Sequence, residues 1–208
     1  MKIKWLISAL VLITCINNAV LADDSVSQAI RERIEQLRET GQVSIDGALL
    51  AAVSLISEIY ERRGFEPAWT RPQQVASLIE AVKDSHDQGL ALSDYHADQI
   101  SAAYQLLSRS KNIAPQRRAD IDLLLTDSLI RMGYHLRFGK VNPEELDPDW
   151  NFQRELGGRD PATSIQQAID SGSVTEFIDD ALPRGFVYQR LRADDRHPGR
   201  SMPEAAAD

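Results

Sequence analysis

Cysteine is nearly absent from this chain: Cys15 is the only one in 208 residues, and it lies in a stretch patterned as an export leader. Lys2 and Lys4 precede the apolar run Trp5–Ile16, and Val20-Leu21-Ala22 ends in the small residues a signal peptidase requires. The run falls short of the roughly 20 apolar residues needed for a membrane span, and no later stretch reaches that length. Cleavage after Ala22 is therefore expected, with a mature protein beginning at Asp23. Thr14 is a poor residue immediately before a lipidated cysteine, which argues against an anchor at Cys15. Once the leader is gone there is no disulfide, no thiolate metal ligand and no cysteine nucleophile.

Basic residues are also scarce relative to acids. Removing Lys2 and Lys4 with the leader leaves 21 basic against 31 acidic side chains, a net charge of −10. Nucleic-acid binding depends largely on cationic contacts to phosphate, so nucleic acid is excluded as a natural partner. Glycine-rich phosphate loops, serine-hydrolase elbows, internal repeats and sustained two-residue alternation are all missing.

What is present is helical periodicity. Asp23-Asp24-Ser25 starts a helix with Val26, Ile30, Ile34 and Leu37 on one face and Gly41 as its stop. A second helix is predicted over Asp46–Arg63, carrying Leu49, Ala52, Val53, Ile56, Ile59 and Tyr60, with Gly64 as C-cap. Phe65–Thr70 should be extended, because the residue before Pro67 is pushed out of the helical region. A third helix spans Pro72–His86, and Ser93 is expected to cap a fourth with Ile100, Ala103, Tyr104 and Leu107. Pro115 opens the longest, whose segment Ala119–Pro143 is apolar on more than one face, as a central buried helix must be. Two short helices follow near Pro161–Asp170 and Val174–Ala181. The prediction is an all-α domain built around one long buried helix. Its organisation is signal peptide 1–22, amphipathic helix 23–42, helical domain 43–191 and tail 192–208. The tail has two prolines, seven charged side chains and no Ile, Leu, Val or aromatic residue, a composition expected to stay disordered.

Candidate chemistry is thin. Ser108-Arg109-Ser110-Lys111 fits the S-x-x-K nucleophile motif, but the K-T-G element that accompanies it is missing. His86, His96 and His135 could share a metal with Asp94, Asp98 or Asp127, but none has the i, i+4 pairing of a helical ligand set. His135 reads instead as a core-bordering side chain held by one hydrogen bond. Glu144, Glu145, Asp147 and Asp149 crowd one segment as glycosidase carboxylates do. They fit better as a first-turn acidic pair and as turn formers around Pro148. Trp69 and Trp150 could stack on sugars, although a Trp after Pro in a short extended stretch more commonly plugs the core. From these residues no catalytic, cofactor or metal site can be built.

Several segments, in order, resemble the scaffold domain of the large periplasmic L,D-transpeptidases, enzymes of peptidoglycan cross-linking. They are Ile59-Tyr60, Arg63–Trp69, His86–Leu90 with Asp94-Tyr95, and Asp120 with Leu125-Thr126-Asp127 and Leu136–Pro143. Asp149-Trp150 and Leu182-Pro183 with Tyr188–Leu191 complete the set, and the resemblance covers Val43–Leu191. It implies a helical frame that in such enzymes precedes a peptidoglycan-binding domain and a YkuD-type catalytic domain with an S-H-G-C-type cysteine. It also implies a periplasmic location, with peptidoglycan or cell-wall synthesis proteins as partners. No catalytic residue transfers to this sequence. The resemblance ends at Arg192, which suggests a member cut short before the later domains, or else a stand-alone scaffold. Two other readings stay open: a cell-wall hydrolase or transferase using Ser108/Lys111 or the Glu144–Asp149 acids, and a periplasmic partner-binding helical protein.

Overall fold

A computed structural model describes residues 24–88, 90–110, 112–139, 155–156 and 158–182. The leader, the 192–208 tail, Lys111, Glu144, Glu145, Asp147, Asp149 and Trp150 lie outside the described residues. Within them the chain is all-α apart from one hairpin of two-residue strands and an isolated bridge of Leu156 with Arg159.

Helix α1 covers residues 24–40 and buries Ile30, Ile34 and Leu37, as their spacing requires. It ends where Gly41, at φ 68°, turns its N–H onto the Leu37 carbonyl (2.9 Å). The bidentate pair of Arg33 with Asp120 (2.7 and 3.1 Å) ties α1 to the helix bearing Asp120.

The next segment departs from expectation. Instead of a helix from Asp46, strands β1 (Ser44–Ile45) and β2 (Ala48–Leu49) pair antiparallel, with Ser44 opposite Leu49 and Ile45 opposite Ala48. Asp46 and Gly47 both have positive φ (51° and 81°), the type I′ geometry favoured by an Asp-Gly turn. That local turn chemistry overrides the helical spacing of Leu49 and Ala52. Helix α2 therefore begins only at Val53 and runs Val53–Arg62, burying Leu55, Ile56, Ile59 and Tyr60. Gly64 and Phe65 follow in left-handed conformations (φ 64° and 66°) and reverse the chain into the segment that seats Ala68 and Trp69 in the core.

Helix α3 (Pro72–Asp84) has proline in its first turn, and the Gln74 side chain accepts the Arg71 N–H (2.9 Å). Two 3-10 turns, Ser85–Gln88 and Leu92–Tyr95, lead into α4 (Ala97–Arg109). The expected cap at Ser93 is displaced: Ser93 belongs to the second turn, and the N-cap of α4 is His96, at φ 56°. Helices α5 (Pro115–Phe138), α6 (Pro161–Ser171) and α7 (Val174–Ala181) fall close to the expected positions.

Helix α5 is the spine. Its consecutive Leu123, Leu124 and Leu125 are each at most 1% exposed, which a helix achieves only when enclosed on every side. The enclosure comes from α2, α3, α4, the Leu92–Tyr95 turn and α7. At Gly133 the approach is close enough that a Cβ would stand 2.9 Å from a ring carbon of Phe177, so glycine is what lets α7 lie against the spine here.

Candidate functional site

The unusual feature of α5 is polarity where it is most enclosed. Asp122, Thr126, Asp127 and Ser128 are all fully buried among the leucines. A buried charge is costly unless paired and hydrogen-bonded, and here the pairing comes from loops.

Asp122 receives four donors, two at each oxygen. Oδ1 accepts from Tyr60 Oη (2.7 Å) and the Ala68 N–H (2.7 Å). Oδ2 accepts from the Trp69 N–H (3.3 Å) and Arg118 Nη1 (2.7 Å). Arg118 sits one turn earlier on α5 and also donates to the Trp69 carbonyl. Thr126, one turn later, accepts the Trp69 indole N–H (3.0 Å), lies 2.8 Å from Tyr60 Oη and donates to the Asp122 carbonyl (2.9 Å). Burial, and then the charge of Asp122, push the Tyr60 phenol well above its ordinary pKa, so Tyr60 stays a neutral donor. The set fastens α2 and the Ala68-Trp69 segment to the spine.

Asp127 repeats the arrangement on another face. Oδ1 accepts the N–H groups of Ala51 and Ala52 (2.9 and 3.0 Å), just ahead of α2. Oδ2 accepts from Arg131 Nε (2.7 Å), one turn on, and pairs with His96 Nε2 (2.9 Å). Burial acts to raise the Asp127 pKa, but the His96 hydrogen bond, the charges of Arg131 and His96 and the Ala52 N–H outweigh it and hold the carboxyl below its ordinary value. Asp127 is thus ionised at neutral pH, and His96 Nε2 must carry the proton it shares. Arg131 also reaches the Leu49 carbonyl (2.5 Å), so the hairpin and the left-handed His96 junction are both pinned by one carboxylate. Beside it, Ser128 donates to the Tyr95 carbonyl (2.9 Å), and Tyr95 Oη meets His135 Nδ1 (2.9 Å).

The residues singled out from sequence scatter by comparison. Of the histidines, His96 pairs with Asp127, His135 borders the core against Tyr95, and His86 is exposed. Asp98 lies exposed in the first turn of α4, and Asp94 lies in the preceding 3-10 turn. No group of three His, Cys, Asp or Glu side chains is placed to hold a metal among the described residues. Ser108 is exposed near the end of α4. Trp69 is core, 1% exposed, its indole N–H satisfied by Thr126. Sequence reasoning missed Asp122 altogether and considered Asp127 only as a metal ligand and as part of the family resemblance. The available signal was an Asp inside an apolar helix with an Arg four residues away, Arg118 for Asp122 and Arg131 for Asp127.

A different kind of place lies where α5 ends. A cleft of about 490 Å³ opens between Arg137 and the helices α6 and α7. Glu176 and Asp180, one turn apart on α7, edge it, and Phe177, between them in sequence, lines it; Arg159 and Gln167 contribute from the α6 side.

A family model described as Scaffold domain matches residues 54–194 of this chain, from the start of α2 through α7 and beyond. The curated proteins and the solved structures compared with it gave no match.

Proposed function

The chain belongs to the Scaffold domain family, and from that membership we propose that it is an exported, non-catalytic scaffold module of peptidoglycan L,D-transpeptidation. The observation that carries the proposal is the family match over 54–194, taken with the sequence segments from Ile59 to Leu191 that, in the same order, resemble the scaffold of the large periplasmic enzymes. The use made of the buried polar residues supports it. Each of the two fully buried carboxylates on the spine, Asp122 and Asp127, already has four donors and is spent on loop positioning, as a frame requires. These 208 residues hold one cysteine, Cys15, inside the leader-like stretch, so they offer no thiol for acyl transfer beyond it. The role is then to present or contact cell-wall enzymes or peptidoglycan in the periplasm.

The test has two arms on the purified chain. Co-sedimentation with peptidoglycan sacculi, or capture of an L,D-transpeptidase catalytic domain, is the expected result, with muropeptide profiles unchanged on incubation. Muropeptide turnover that disappears in Ser108→Ala or Lys111→Ala would overturn it in favour of a hydrolase. Fractionation of the producing cell, with the mature N-terminus at Asp23, checks the export expected from residues 1–22.

A further inference from the structure

We propose that the Asp46-Gly47 link is a site of covalent modification, isomerising to isoaspartate when the hairpin opens, and that Arg117 restrains the reaction by holding the turn shut. Asp-Gly occurs once in the 208 residues. Both residues are exposed at the tip between β1 and β2. Glycine has no Cβ to shield its own nitrogen, and a Cβ built at Gly47 would meet no atom within 4 Å, so nothing covers this stretch of backbone from outside.

The chemistry needs only water. The Gly47 backbone nitrogen attacks Cγ of the Asp46 carboxyl group. The N–Cγ bond forms and the Cγ–OH bond breaks, the hydroxyl leaving with the amide proton as water. The five-membered succinimide so formed is then hydrolysed. Water that adds at the former main-chain carbonyl breaks the bond from that carbon to nitrogen. The chain now runs through Cβ and Cγ, one methylene longer, with a free carboxylate on Cα and no change in mass.

The folded turn opposes this reaction. In the type I′ arrangement of Asp46 and Gly47 (φ 51° and 81°), Cβ of Asp46 lies nearly opposite the Gly47 nitrogen about the Cα–C bond, so the ring closes only after the turn has opened. At the tip, Arg117 Nη2 pairs with Asp46 Oδ2 (2.6 Å), and Gln99 Nε2 lies 3.5 Å from the Asp46 carbonyl oxygen. The Arg117 pair holds the same carboxylate that must swing toward nitrogen. At the base, Asp127 accepts the Ala51 and Ala52 amides, and Arg131 donates to the Leu49 carbonyl. The extra methylene does not fit a two-residue turn, so the product loses the pairing of Ser44 with Leu49 and the hairpin stays open.

The experiment ages the full chain at neutral pH and measures isoaspartate at position 46. Isoaspartyl methyltransferase labelling detects it, and in peptide maps it gives a second peak of equal mass. The urea-unfolded chain should accumulate it at least about tenfold faster than the folded chain, because the folded turn must first open. Arg117→Gln should raise the folded rate by up to about fivefold, the scale of one solvent-exposed ion pair. Arg117→Lys, which keeps the charge, should age like the wild type. Asp127→Asn, which loosens the base of the hairpin, should raise the rate further toward that of the unfolded chain. Circular dichroism confirms that each variant is folded. Absence of isoaspartate at 46 in the unfolded chain would overturn the site. Equal rates in folded and unfolded wild type, or in Arg117→Gln and wild type, would overturn the restraint.

Discussion

In the middle of α5 two carboxylates with no exposed side-chain surface each gather four donors, whereas at its last turn Arg137 faces a cleft whose arginines and Glu176 have no ionic partner among the described residues. Both regions are rich in charge, and only burial and pairing tell them apart. A charge surrounded by leucine must have every lone pair used, so its chemistry is consumed in holding the chain. A charge at the rim of a cleft keeps its hydration and needs no such set of partners. The strongest ionic geometry in this molecule therefore marks architecture.

The largest effects should come from breaking the buried half. Asp122→Ala leaves the Arg118 charge without its carboxylate and the Ala68 and Trp69 N–H groups without an acceptor, and Asp127→Ala does the same to Arg131, His96 and the Ala51 and Ala52 amides. Each should cost about 3–5 kcal/mol in urea denaturation, the range for removing one partner of a buried ion pair. Asp122→Ala should also shift the fluorescence of Trp69, whose backbone Asp122 positions. The Asp127 carboxyl is held below its unfolded value, so its contribution is complete above about pH 4 and disappears as pH falls through the folded-state value. Acid titration of the wild type should show that loss, and Asp127→Asn should show less of it.

At the junction of the two regions, Gly133→Ala introduces a methyl 2.9 Å from Phe177. Overpacking of about 1–3 kcal/mol opposes a helix-propensity gain of about 1 kcal/mol. The melting temperature should fall modestly, with Phe177 displaced toward the cleft.

Smaller effects belong to the periphery. Asp160 caps α6 through the Thr163 N–H (2.9 Å), and the Arg62 contact holds its pKa down at about 2. Asp160→Ala should cost about 1 kcal/mol, as capping residues do, and that cost should vanish in acid as the wild-type carboxyl protonates. Smallest is Ser57→Ala. The Ser57 hydroxyl is the one buried side-chain polar atom without a hydrogen bond among the described residues. Its removal should leave stability unchanged or raise it by up to about 1 kcal/mol, since nothing is lost but a desolvated hydroxyl.

Most of the fold was legible in sequence because most of it obeys local rules. Ile30, Ile34 and Leu37 announced α1, Pro115 announced the spine, and Leu123-Leu124-Leu125 required enclosure. The misreadings occurred where a local signal competed with periodicity. Asp46-Gly47 turned the chain into a hairpin despite helical spacing on either side, and His96 took a left-handed cap position that Ser93 had suggested for itself. The polar spine was hidden for a different reason. The donors to Asp122 come from residues 54, 53 and 62 positions away as well as from Arg118, and no spacing rule connects Ala68, Trp69 and Tyr60 to it. The cleft is likewise assembled from α5, α6 and α7, and its charges read in sequence as ordinary surface residues.

That the two buried carboxylates are separate structural clamps is tested most directly by native-state hydrogen exchange on Asp122→Asn and Asp127→Asn. Asp127→Asn should release the Ala51 and Ala52 amides while Ala68 and Trp69 stay protected, Asp122→Asn should do the converse, and the helical amides of α6 and α7 should be unchanged in both. Equal loss of protection at both pairs in either variant, or no loss in either, would contradict it.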